Sequence, residues 1–255
     1  MKRLFSVCSV FLFKITVEYP RAAMKELPSA APESDMSQLL ALLKKELALE
    51  MRQKHALAGV LMYVLATVFV CYLSLERIET ARVWGAMLWL TGIFTAFNTM
   101  QKAFSGEGSG TVIYLYTLVN PRKIILSKAL YNALLVALLN LLSVLFFVLF
   151  FGTEPLADAD LGQFLLGLFL GSTGLGLALT FVAGLAYKSG TGGGLVAILG
   201  FPVIIPLLIT TVRHTSFALD GMSFSENSLN LVVLLVLNMV SLVLAYVLFP
   251  YLWRD

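Results

Sequence analysis

Charge is scarce in this sequence. Only 13% of its 255 residues are Asp, Glu, Lys or Arg, while 59% are hydrophobic. Soluble domains carry about 25% charged and about 45–50% apolar residues. A chain of this composition cannot hide so much apolar surface inside itself, which points away from a water-soluble domain and toward a membrane protein. Cysteine is nearly absent. Cys8 and Cys71 form no CxxC, no CxxCH haem-attachment motif and no zinc-ligand spacing. The two histidines, His55 and His214, are expected on opposite sides of the membrane, so the residues offer no haem or metal site. The net charge of +3 is too small to imply a nucleic-acid partner.

Charge is missing above all from the long apolar runs. An ion or proton path through lipid needs ionisable groups along it. A proton-coupled transporter is therefore disfavoured, and energy for any transport must come from another subunit. Internal repetition is missing too. No solenoid period appears, and the second half does not echo the first, so an inverted-repeat transporter is not supported.

Six apolar runs are present, at 57–75, 84–100, 129–151, 162–186, 193–212 and 229–249. Each approaches or exceeds the roughly 17–25 residues that cross about 30 Å of hydrocarbon as helix. Lipid supplies no hydrogen bonds to the backbone, so these runs predict helices and not strands. The expected fold is an all-α integral membrane domain with six transmembrane helices over 57–255. With both termini cytoplasmic, the inner segments hold Lys44, Lys45, Arg52, Lys54, Lys102, Arg122, Lys123, Lys128, Lys188 and Arg254. The outer segments hold Arg77, Arg82 and Arg213. Ten against three is a positive-inside bias that fixes this orientation. Trp84 and Trp253 suit the interfacial belts.

Residues 36–56 precede the first run. Leu39, Leu43 and Leu47 recur at helical spacing, with Lys44, Lys45, Glu46 and Lys54 around them. This pattern predicts an amphipathic helix in the inner interface, its lysines set against anionic lipid; the plainer alternative is a cytoplasmic extension of the first span. Residues 1–35 read differently. Lys2 and Arg3 precede LFSVCSVFLF, Lys14 interrupts it, and Pro20, Pro28 and Pro32 follow. The expectation is an upstream extension, disordered or not translated, with Met36 as the start.

The longest inner loop, 101–128, begins polar and glycine-rich at SGEGSG and continues as TVIYLYTL before Asn120-Pro121. A short apolar helix on the cytoplasmic side needs cover. It either tucks against its own bundle or docks into a soluble partner. The second glycine-rich stretch, YKSGTGGG at 187–194, lacks the glycine that a P-loop places before its Lys-Ser. It is not a nucleotide site. It reads as a tight, mobile inner turn at Gly192, Gly193 and Gly194.

GSTGLG at 171–176 raises an intramembrane serine protease, but no histidine is positioned to activate Ser172. Small residues at this density predict close helix packing instead. Asn98, Asn132, Asn140 and Asn238 are the main polar groups in the runs, expected to bond between helices. Pro202 and Pro206 remove the helical donors to the carbonyls of Ile198 and Pro202, one turn apart on one face. The fifth run therefore predicts a bent helix with a flexible inner hinge, either a moving part or a static kink.

The stretch YKSGTGGGLVAILGFPVIIPLLI resembles the CcmB-type haem exporter protein B family. LGSTGLGLALTFVAGLA is similar to that family's fourth span, and Glu107, Gly110, Pro121 and Lys128 to its inner loop. The resemblance covers about 37–250. It implies a six-helix, ABC-2-type permease subunit in the bacterial inner membrane, without catalytic residues of its own. It also implies a separate cytoplasmic ABC ATPase, a haem-handling membrane protein as a further partner, and a homodimer within the complex. ATP acts through the ATPase; haem is the implied substrate, with export or release of a haem-loaded chaperone as the output. Glu107, Gly110, Pro121 and Lys128 would form the coupling loop. Two other readings stay open: a permease for a lipid, glycan or drug, and a membrane scaffold that does not transport.

Overall fold

The computed structural model describes residues 35–52, 54–74, 80–105, 121–189 and 193–252. Every regular element among them is helical. The helices are α1 (Asp35–Arg52), α2 (Lys54–Ser74), α3 (Ala81–Ser105), α4 (Pro121–Phe151), α5 (Leu161–Ser189), α6 (Gly193–Leu219) and α7 (Phe224–Leu252), with a 3-10 turn at Glu154–Leu156 between α4 and α5.

Among the described residues, four stretches are long and apolar enough to cross a membrane: Arg122–Phe151, Leu161–Ala186, Gly200–Leu219 and Phe224–Val247. The expectation was six. Helices α2 and α3 form where the first two runs predict them but fall short of that standard. The apolar part of α2 is a shorter stretch, Ala58–Ser74. Helix α3 dilutes its apolar residues with Thr91, Thr95, Asn98 and Thr99 and ends on Gln101 and Lys102.

Helix α5 is the axis of the bundle. Of its crossing stretch 72% is buried, against 28% for α7 and 39% for α6. It packs against α3, α4, α6 and α7, while α1 and α2 lie outside against α4. Glycine makes this central position possible. A Cβ on Gly167 would enter the His214 ring, one on Gly171 would meet Thr211 and Trp89, and one on Gly174 would meet Leu207. These three glycines occupy one face of α5 and let side chains of α6 reach the α5 backbone. On the other side, a Cβ on Gly176 would come within 2.5 Å of the Ala133 Cα of α4. Packing is thus the role of GSTGLG, as the density of small residues predicts.

The core beside this seam is aromatic and aliphatic: Trp84, Trp89, Phe147, Phe164, Leu175 and Leu179 are all buried. Trp84 does not sit in an interfacial belt. It is fully buried, with its ring 5.6 Å from Phe147 and 5.9 Å from Phe164. An edge-to-face aromatic cluster holds it inward. Trp253 lies outside the described residues.

The turns at the end formed by 152–161 and 219–224 are tightly specified. Gly152 and Gly221 adopt positive φ, where a side chain is strained, and Gly221 also packs on the Asp158 carbonyl. Asp160 starts α5 by accepting from the backbone N–H groups of Gly162 and Gln163 at 3.0 and 3.1 Å. Ser223 and Glu226 start α7: Glu226 Oε2 accepts from the Ser223 hydroxyl at 2.9 Å and its backbone N–H at 3.2 Å.

Candidate functional site

Helix α6 joins two unlike halves. From Gly193 to Ile209 its sequence is GGLVAILGFPVIIPLLI, with no polar side chain. From Thr210 onward it carries Thr210, Thr211, Arg213, His214, Thr215 and Ser216. Pro202 and Pro206 lie inside the helix just before this change, both exposed on the outer face with Phe201, Ile205 and Ile209. The helix continues through both prolines, so each leaves one carbonyl without its usual donor.

The polar half is bonded to three neighbours. The Trp89 indole N–H of α3 donates to the Thr215 hydroxyl at 2.8 Å. His214 Nε2 lies 3.1 Å from the Gln163 carbonyl of α5; the carbonyl accepts, so that nitrogen carries the hydrogen. The Asn227 amide of α7 donates to the His214 carbonyl and to Gln163 Oε1, each at 3.1 Å. Gln163 in turn donates to Asp160 Oδ2 at 2.8 Å and to the Met222 carbonyl at 3.0 Å. These bonds from Gln163, followed by its backbone N–H, hold the Asp160 carboxyl below the usual carboxylate range. The Asp160 backbone N–H closes the set by donating to the Ala218 carbonyl at 2.9 Å.

Further along, single polar pairs tie the bundle together. Asn140 donates to the Ser172 hydroxyl at 2.8 Å, and Asn132 to the Thr180 hydroxyl at 2.7 Å. Asn238 of α7 donates to the Leu170 carbonyl at 3.0 Å and accepts from Thr173 at 3.2 Å. These three asparagines bond between helices, as expected. Asn98 does not: its amide donates to Phe94 of its own helix at 2.9 Å. Ser172, raised as a nucleophile, is buried and accepts from Asn140.

At the opposite end, α1 lies on α4. Lys128 is 3% exposed and its Nζ lies 3.4 Å from Glu46 Oε1. Lys123 Nζ donates to Gln38 Oε1 at 2.6 Å. The Arg122 guanidinium stands 5.2 Å from the centre of the Tyr246 ring of α7. Pro121 and Lys128 therefore belong to helix α4, which begins eight residues before the expected span. Proline suits a helix's first residue because its missing N–H is not needed there.

Glu107, Gly110 and Gly192 lie outside the described residues. Gly193 and Gly194 are the first two residues of α6. Lys128 and the proline pair stand on different helices, α4 and α6, with α5 packed against both. Sequence reasoning missed Gln163, Asn227 and Glu46. Asp160 followed three residues later by Gln163 is a helix-start signal that marks one of them; the others are defined only by contacts across the chain. Among the described residues, no group of three or more His, Cys, Asp or Glu is assembled for a metal.

Helix α6, interrupted by two prolines, is keyed to a glycine-lined central helix. The family model for the CcmB protein matches residues 37–251, a stretch that includes all of this. The chain belongs to the CcmB family. It is thus a membrane protein of the CcmB haem-exporter type, an ABC permease subunit of cytochrome c maturation. No curated protein sequence matches the chain.

Proposed function

We propose that this CcmB protein converts ATP hydrolysis by a separate cytoplasmic ATPase into a change of bend in α6, and that this change drives haem export or release of a haem-loaded chaperone. The observation that carries the reading is the placement of Pro202 and Pro206 inside α6, exposed, where the apolar half meets the bonded half. A helix with two backbone bonds missing in successive turns bends there at lower cost than elsewhere.

In this reading six spans cross the bacterial inner membrane, with α2 and α3 counted among them and both termini cytoplasmic. Helix α1 lies at the inner interface. Positive charge on the inner segments supports this sidedness. Residues 106–120, with Glu107 and Gly110, dock into the ATPase, and the stroke passes through Pro121 and Lys128 into α4. Gly192 and the two glycines that begin α6, Gly193 and Gly194, give the inner end of the helix its freedom. Two copies pair within the complex, beside a haem-handling membrane protein. The chain supplies no catalytic group: ATP is bound by the partner, and haem is cargo.

The test is a Glu107→Ala strain, scored for holo-cytochrome c and for ATPase retained on the membrane. The proposal expects retained complex and lost holo-cytochrome. Normal holo-cytochrome would contradict the coupling role. Normal holo-cytochrome in a strain lacking the chain altogether would move the substrate to another class, a lipid, glycan or drug.

A further inference from the structure

The two halves of α6 are built so differently that the motion assigned to it above is confined to one of them. Beyond Pro206, residues 207–219 are held on three sides. Gly174, Gly171 and Gly167 of α5 receive Leu207, Thr211 and His214 in direct succession, with no room for a single added carbon at any of the three. Trp89 of α3 bonds Thr215, Gln163 of α5 bonds His214, and Asn227 of α7 bonds the His214 carbonyl. The Asp160 backbone N–H fastens the last turn at Ala218. Bonds shared among buried neighbours of this kind strengthen one another.

Before Pro206, residues 193–205 have no polar side chain with which to make any such bond. Ile204 is buried, yet Phe201, Pro202 and Ile205 are exposed. Apolar contact is non-directional and permits sliding, whereas paired hydrogen bonds fix one geometry.

We infer that α6 is a lever with a fixed anchor. Residues 207–219 stay with α3, α5 and α7 through the transport cycle, and residues 193–205 swing about Pro202 and Pro206. The inference rests on the proposed ATP-driven bending and adds where the bend stops. Gln163, His214 and Asn227 are then positioning residues, which keep the anchor still so that a push at the inner end is not lost in rotation of the whole helix. Helix α7 provides a fixed frame, because Asn227 and Asn238 both tie it to α5.

The experiment uses the full chain with its ATPase subunit in lipid nanodiscs, with Cys8 and Cys71 changed to Ala. Spin-label pairs are placed at exposed positions, where they leave the fold intact. One pair, Phe201→Cys with Val243→Cys, reports the lever against α7. The other, Arg213→Cys with Leu229→Cys, reports the anchor against the same helix. Distances are measured without nucleotide and with the ATPase trapped in its ATP-bound state. The lever distance is expected to change by several ångströms while the anchor distance holds. Equal changes in both pairs, or none in either, overturn the inference. Holo-cytochrome formation by the unlabelled complex is scored in parallel, and its absence counts against the proposed function and not against the lever.

Discussion

His214 and Gln163 meet inside the bundle, 3.1 Å from imidazole Nε2 to backbone carbonyl, with the ring lying over Gly167. The imidazole is fully buried, and its Nδ1 has no hydrogen-bond partner among the described residues. One side chain thus ties α6 to α5, while its own backbone carbonyl accepts from Asn227 of α7.

Removing that side chain leaves the Gln163 carbonyl bonded less well and opens a void beside Gly167. His214→Ala is expected to lose roughly 1–3 kcal/mol of stability, the usual range for an orphaned buried partner. A lower midpoint of thermal unfolding in detergent checks this. An unchanged midpoint shows that the contact holds nothing.

Glycine substitutions separate packing from helix propensity. Gly167→Ala drives a methyl into the His214 ring, and Gly171→Ala drives one into Thr211 and Trp89. Each is expected to destabilise by about 1–3 kcal/mol, as overpacking does. Gly59→Ala in α2 meets nothing within 4 Å. It is expected to be neutral or to gain up to about 1 kcal/mol from helix propensity. Retained melting midpoints for both Gly167→Ala and Gly171→Ala contradict the close packing of α6 on α5.

The Glu46–Lys128 pair predicts a charge-swap rescue. Glu46→Lys sets like charges together at a lysine that is 3% exposed. Breaking a buried pair from one side costs about 3–5 kcal/mol, so α1 is expected to come away from α4 and become sensitive to protease. Glu46→Lys with Lys128→Glu is expected to restore protection. Equal sensitivity of the single and double variants rules the pairing out.

Asp160 predicts an acid limit. Bonds from Gln163 lower its carboxyl below the ordinary value of about 3.9. A depressed folded-state value means that its contribution is complete above the unfolded value and fades as pH falls through the folded one. The melting midpoint of the parent protein is therefore expected to drop below about pH 4 more steeply than that of Asp160→Asn. Parallel curves deny the carboxylate this role.

Much of this was legible along the chain, because lipid leaves a helix few options. The run lengths place α4 to α7, and GSTGLG announces close packing. Asn132, Asn140 and Asn238 find partners on other helices, since an unpaired amide is expensive in an apolar interior. Asn98 escapes that rule because its own helix offers the Phe94 carbonyl one turn back. Trp84 was misplaced for a related reason: nearness to a helix end suggests an interface, but Phe147 and Phe164 form a pocket that only the folded bundle assembles. Gln163 and Asn227 gave no signal of a joint role, being 64 residues apart. Lys128 looked like a loop cation, and its partner Glu46 lies in a helix that precedes the spans.

The central claim is that the interrupted helix bends to do work. The most direct measurement is holo-cytochrome c yield from cells carrying Pro202→Ala with Pro206→Ala, compared at equal membrane levels of chain and ATPase. Restoring two backbone donors favours the straight helix by roughly 3 kcal/mol per proline replaced, enough to shift a two-state equilibrium more than tenfold. The account predicts a fully assembled complex whose cytochrome yield falls roughly tenfold or more. A yield equal to that of the parent contradicts it.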